Sequence, residues 1–231
     1  MIRIGIVGYG YWGPNLLRNF ISAADSQVLA VAEPRTEKHA LIKKLYPGVT
    51  CLSNADELYN HPEIDAVAIA TPVFTHFNLA EKALRKGKHV LMEKPMTSSV
   101  AEAQTLIELA EKKGLILMVD HTFLYTGAVQ KIKQLIENGT IGSPRYFDSI
   151  RINLGLFQPD INVLWDLAAH DISILSFLIQ EKPVSVNATG ISHTRNGIED
   201  IAYMTVNYNS DFIAHFNCSW TSPVKVRQTL I

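Results

Sequence analysis

Over the first 120 residues, short continuous apolar runs alternate with segments whose apolar residues recur every three or four positions. The runs are Ile2–Val7, Val28–Ala32, Ala66–Ala70, His89–Met92 and Leu115–Val119. Between them, Leu16/Leu17/Phe20, Ala40/Leu41/Leu45, Leu79/Ala83/Leu84 and Ala103/Leu106/Ile107/Ala110 mark helices with one apolar face. A strand that is apolar on both sides must be covered on both sides. The alternation therefore predicts a doubly wound α/β domain with a parallel sheet.

The pattern changes beyond about residue 123. A helical stretch over Ala128–Ile136 stops at Asn138-Gly139, a C-terminal signal. Arg145 to Asn153 reads as a strand, and Asn162 to Ile179 as a second long helix. Three strand-like runs follow: Val184–Ser192, Asp200–Tyr208 and Asp211–Trp220. In the last, Phe212, Ala214, Phe216, Cys218 and Trp220 alternate with Ile213, His215, Asn217 and Ser219, which predicts burial of one face. The second half is thus an α+β domain with a mostly antiparallel open sheet. The expected division is residues 1–120 and 121–231, with no Pro/Gly/Ser-rich linker between.

Composition narrows the partners. The 231 residues are 47% hydrophobic and 19% charged, a globular balance. With 21 basic and 22 acidic residues the net charge is −1, so no basic excess points to nucleic acid or an anionic membrane. Cys51 and Cys218 are 167 positions apart with no CxxC spacing, as expected of reduced thiols. The N-terminus enters a strand directly, with no signal-peptide pattern, and no apolar run approaches the roughly 18 residues of a membrane span. A soluble, cytoplasmic protein is expected.

The first motif is Gly8-Tyr9-Gly10-Tyr11-Trp12-Gly13, a GxGxxG string between the first strand and a helix. Gly8 permits the tight turn, Gly10 lets backbone approach a pyrophosphate, and Gly13 allows close helix–strand packing. Pro14 falls in the first helical turn, where its missing N–H costs nothing. The helix N-terminus offers N–H donors and a positive dipole end to phosphates. Glu33 stands 20 positions beyond Gly13, the spacing of a carboxylate on an adenosine ribose. A carboxylate there favours NAD by repelling a 2′-phosphate, whereas Arg35 could pair with one and admit NADP.

Two segments carry candidate chemistry. Gly87-Lys-His-Val-Leu-Met-Glu-Lys-Pro95 places Glu93, Lys94 and Pro95 at the carboxyl edge of the sheet, where ligands bind in open α/β folds. A desolvated lysine beside a positive nicotinamide ring could take part in proton transfer; a surface lysine before a helix is the alternative. Trp165-Asp166-Leu-Ala-Ala-His170-Asp171 sets Asp166 and His170 four apart on one helix face. That is the spacing of a carboxylate orienting a general acid/base histidine, or of a solvated i,i+4 ion pair. Asp171 faces elsewhere and reads as structural. None of the eight histidines has metal-ligand spacing and no GxSxG elbow occurs, so no metal and no serine hydrolase is expected.

Taken together, GYGYWG, TPVFTH at 71–76, GKHVLMEKP at 87–95 and WDLAAHD at 165–171 closely resemble the glucose–fructose oxidoreductase/inositol dehydrogenase/MocA family. The resemblance spans nearly the whole chain. It implies a Rossmann domain followed by an α/β domain whose open sheet mediates homo-oligomerisation, and NAD(P)-dependent oxidation of sugars, cyclitols or related polyols. By motif, Lys94 and His170 correspond to a catalytic pair with Asp166 in support. The family pattern sets Gly8, Gly10, Tyr11, Trp12, Gly13, Glu33, Arg35, Thr71, Pro72, His76, Glu93 and Lys94 around the cofactor, and makes Pro95 a candidate cis proline. Arg151 to Asp160 together with His121 to Tyr125 look most like the branch that includes UDP-N-acetylglucosaminuronate 3-dehydrogenases. Lys94, Tyr125, Arg151, Asn153 and His170 would then meet the substrate, Arg151 through a bidentate carboxylate contact; the alternative for Arg151 and Asn153 is the solvent face of a strand. Family members are usually longer than this chain, which stops at Val226–Ile231 within strand-like sequence. An inositol or polyol dehydrogenase, or a non-catalytic NAD(P)-binding regulator of the same fold, are the alternative readings.

Overall fold

Strand β1 (Ile2–Val7) lies inside a six-stranded sheet completed by β2 (Ser26–Ala32), β3 (Thr50–Leu52), β4 (Ala66–Ile69), β5 (His89–Met92) and β6 (Leu117–Val119). All pairings are parallel, in the order β3-β2-β1-β4-β5-β6. Helices α1 (Gly13–Ser22), α2 (His39–Leu45), α3 (Ala55–Asn60), α4 (Val73–Arg85) and α5 (Val100–Lys113) connect them. Consecutive strand residues enter opposite cores: Val7 and Ile69 join Leu84, Met92 and Leu106, while Ile6 and Ala68 join Leu17, Val31 and Ile42. This two-sided burial is why the strands read as unbroken apolar runs. β3 and α3 are absent from the sequence reading, since three and six residues are too few to show a period. The strand order reverses between β1 and β4, which opens a ligand crevice at the carboxyl edge of such sheets.

The computed structural model describes residues 1–194 and 197–231. They divide into two units, Met1–Asp120 and His121–Ile231. The second is built on a five-stranded sheet of β7 (Tyr146–Leu154), β8 (Ser185–Ile191), β9 (Ile201–Asn207), β10 (Ile213–Ser219) and β11 (Thr221–Leu230), in the order β11-β7-β10-β9-β8. Only the β7–β10 pair is parallel. Helices α6 (Gly127–Glu137) and α7 (Ala169–Leu178) cover one face, where Val129, Ile174 and Leu178 pack on Phe147, Met204 and Phe216. The alternation over 212–220 is realised, with Phe212, Ala214, Phe216, Cys218 and Trp220 all buried. Strand register puts Tyr146, Tyr203 and Ile213 on the opposite face, where each is exposed.

One element departs from its expected form. The predicted helix 162–179 opens with a π-helical turn, Leu164–Ala168, before α7 begins. A π turn holds more residues than an α turn, so the i,i+4 rule that put Asp166 and His170 on one face does not carry across it. Among the described residues, no helix is long and apolar enough to cross a membrane.

Candidate active site

The glycine string bends from β1 into α1 as its residues require. Gly8 has φ +93°, and a Cβ there would lie 2.6 Å from the Ala70 carbonyl oxygen. A Cβ on Gly13 would collide with the Gly8 carbonyl, so glycine is needed for the helix to start this close to the strand. A Cβ on Gly10 would meet only the Ala70 carbonyl oxygen, at 4.0 Å, which leaves its backbone open to a ligand. Tyr11 and Trp12 stand out from the loop, 80% and 50% exposed, with their rings edge to face at 5.7 Å.

Glu33, at the end of β2, is 1% exposed. Its carboxylate accepts the Tyr9 N–H at 2.8 Å and takes three hydrogen bonds from Arg35: backbone N–H at 3.0 Å, Nε at 2.7 Å and Nη2 at 2.8 Å. Burial alone would raise its pKa. The Arg35 side chain, the two backbone donors and the Arg35 charge outweigh burial and hold it at about 2. Lys38 donates to the Tyr9 carbonyl at 2.6 Å, pinning the loop from a position the spacing of motifs does not reveal.

The second corner of unit 1 follows β4 and β5. Thr71 and Pro72 lead into α4, where Thr75 Oγ1 donates to the Pro72 carbonyl at 2.7 Å. His76 is fully buried, with Nδ1 3.0 Å from the Pro95 carbonyl and Nε2 2.9 Å from the Thr71 carbonyl. Both nitrogens are thus engaged in tying one loop to the other. The neutral ring donates one of these hydrogen bonds and the imidazolium donates two. The Lys94–Pro95 peptide is cis. Glu93 is buried; desolvation, the Asp120 charge and a hydrogen bond with Asp120 raise its pKa, Lys94 lowers it, and the balance is about 7. Asp120, just beyond β6, went unnoticed in the sequence because it belongs to no motif.

In unit 2 the π turn carries Asp166, whose Oδ2 accepts the Trp220 indole N–H at 3.1 Å. Asn162 caps this turn, its Oδ1 accepting the Trp165 N–H at 3.0 Å. His170 sits in the first turn of α7, its ring meeting Phe123 edge to face at 4.8 Å. Arg151 is 6% exposed, which rules out the solvent face of a strand. Its expected carboxylate clamp exists, but on Asp171: Nε and Nη2 each reach a carboxylate oxygen at 2.7 Å. Two of the donors assigned to a substrate are therefore taken by the protein itself. Tyr125 is 67% exposed and Asn153 is half-buried on β7. No group of three or more His, Cys, Asp or Glu side chains among the described residues forms a metal cluster.

A model of an oxidoreductase family with an NAD-binding Rossmann fold matches residues 2–121, and a model of the GFO/IDH/MocA C-terminal domain matches residues 129–231. The chain belongs to the Gfo/Idh/MocA family. UDP-N-acetylglucosamine 3-dehydrogenase of Acidithiobacillus ferrooxidans is 33% identical over 89% of this chain and 64% of its own length. The NADP-dependent scyllo-inositol 2-dehydrogenase of Bacillus subtilis is 27% identical over 90% of this chain and 60% of its length. This chain thus spans less than two thirds of each of these Gfo/Idh/MocA relatives. The solved structure of the Acidithiobacillus enzyme superposes with TM-score 0.85 at 31% identity, covering 99% of this chain and 72% of that one.

Proposed function

We propose that the protein is an NAD-dependent dehydrogenase acting on a hydroxyl-bearing carbon of a sugar or nucleotide sugar. One observation carries the reading: in an NAD-binding Rossmann unit, Lys94 follows β5 at the carboxyl edge of the sheet, next to the buried Glu93. The residues present fit the dinucleotide. A Cβ at Gly8 would clash with Ala70 and one at Gly13 with Gly8, so the tight turn of a pyrophosphate-binding loop needs both glycines, and Gly10 is open. Glu33 is buried and ionised, which opposes a 2′-phosphate, and the Arg35 charge is already paired with it; both features support NAD over NADP.

When bound, the nicotinamide supplies the hydride acceptor. Lys94 holds the substrate oxygen and stabilises the charge that develops on it. His170 removes the hydroxyl proton, with Asp166 in support. Tyr125 and Asn153 are the candidate sugar contacts. A UDP-linked amino sugar is supported by the name of the Acidithiobacillus relative. The exposed apolar residues on the uncovered sheet face, Tyr146, Tyr203 and Ile213, support association of copies through that face. A cytoplasmic location agrees with the two free cysteines.

The test is binding followed by turnover. NAD should bind more tightly than NADP in a fluorescence titration. Lys94→Ala and His170→Ala should each lose on the order of a thousandfold in kcat while keeping NAD affinity. A variant that retained most of the activity would remove that residue from the assignment.

A further inference from the structure

Arg151, Asp171, Phe123 and His170 form one contact chain inside unit 2, of which the reaction described above uses only His170. Asp171 follows His170 directly in α7, so anchoring its carboxylate anchors the turn that bears the imidazole. The anchor is a buried fork on β7, two parallel N–H···O bonds of 2.7 Å. The same guanidinium lies over the Phe123 ring, with Cζ 4.8 Å from the centroid. That ring meets His170 at 4.8 Å and 70°.

We propose that Arg151, held by Asp171 and stacked on Phe123, is a positioning residue that sets the orientation of the His170 ring. This rests on the reading of His170 as the group that moves the proton. The pair is neutral overall, so it conveys position more than charge. The other titratable groups nearby are Asp166 in the π turn and the buried Cys218 thiol. Burial, then the Asp171 charge, push Cys218 up to about 12, so it stays protonated across the working range. A lysine cannot replace the arginine here, because it has neither the planar fork nor the flat surface that stacks.

The experiment compares wild type, Arg151→Lys, which keeps the charge, and Phe123→Leu, which keeps the ion pair. Melting curves check that both fold. Histidine-selective NMR of the unliganded protein then follows the His170 titration, with His61 and His89 in unit 1 as internal references. Both variants should shift the His170 midpoint by about half a pH unit or more. With a turned-over sugar, kcat should fall on the order of ten- to a hundredfold at nearly constant KM. An unmoved His170 in both variants overturns the proposal, and a rise in KM without that movement assigns Arg151 to substrate instead. If His170 moves while the wild type oxidises no sugar, positioning stands and the dehydrogenase reading fails.

Discussion

In unit 1, the groups assigned to the phosphates and ribose come from two short stretches: six consecutive residues make the glycine turn, and Glu33 and Arg35 stand two apart. In unit 2, the surroundings of His170 come from far along the chain. Arg151 and Asp171 are 20 residues apart, and Trp220 reaches Asp166 across 54. The first site depends on backbone conformation that single residues impose. The second depends on a packed core that must form before the side chains meet. Damage to the first should therefore be local and steep, and damage to the second remote and graded.

The steepest effect is expected from Gly13→Val. Its side chain would occupy the position of the Gly8 carbonyl, and overpacking of this kind costs up to about 3 kcal/mol. NAD affinity measured by titration should fall on the order of a hundredfold, while the NMR signature of His170 in unit 2 stays as it was. A variant that bound NAD normally would mean the turn does not set the cofactor site.

Acid should act next, through two carboxyls of unit 1 with opposite signs. The Glu33 pKa is depressed to about 2 from an ordinary value near 4.5, so the folded state binds its proton later than the unfolded state. Its contribution is present above about pH 4.5 and is lost as pH falls toward 2, at most about 3 kcal/mol. Arg35→Met should flatten this loss in melts run from pH 6 to pH 3; an unchanged slope would contradict the pairing. Glu93 has the opposite sign. With a folded pKa of about 7, its contribution is present below about pH 4.5 and is lost as pH rises to 7. Glu93→Gln should accordingly be more stable than wild type at pH 8, and a less stable variant would show that the carboxyl is needed ionised.

The smallest effect belongs to the remote site. Trp220→Phe removes one hydrogen bond to Asp166 and should cost about 1 kcal/mol in denaturant unfolding, with NAD affinity untouched. A change in NAD affinity would break the separation between the regions.

The same contrast explains what could be read in advance. Gly8, Gly13 and Glu33 were legible because the turn and the strand end fix them locally, and the alternation of Phe212 to Trp220 foretold which sheet face is buried. The π turn at Leu164–Ala168 was not legible, since residues 162–179 carry no breaker that marks a change of helix type. Spacing sets Asp171 apart from the Asp166/His170 face but gives no sign that its partner is Arg151. The packing of α7 on the face of β7 brings them together, and spacing has no access to that. His76 shows the intermediate case: the motif found the right loop, but burial decides that it ties the loop to Pro95.

On the proposed function, this chain moves hydride from a sugar carbon while His170 takes the hydroxyl proton and Lys94 holds the oxygen. Absorbance of reduced nicotinamide tests it directly, with NAD and a panel of UDP-N-acetyl sugars, hexoses and inositols. Wild type should reduce NAD with at least one sugar, and Lys94→Ala and His170→Ala should bind NAD equally well yet leave it oxidised. Folded, NAD-loaded wild type that reduces no cofactor with any of these substrates would overturn the dehydrogenase reading.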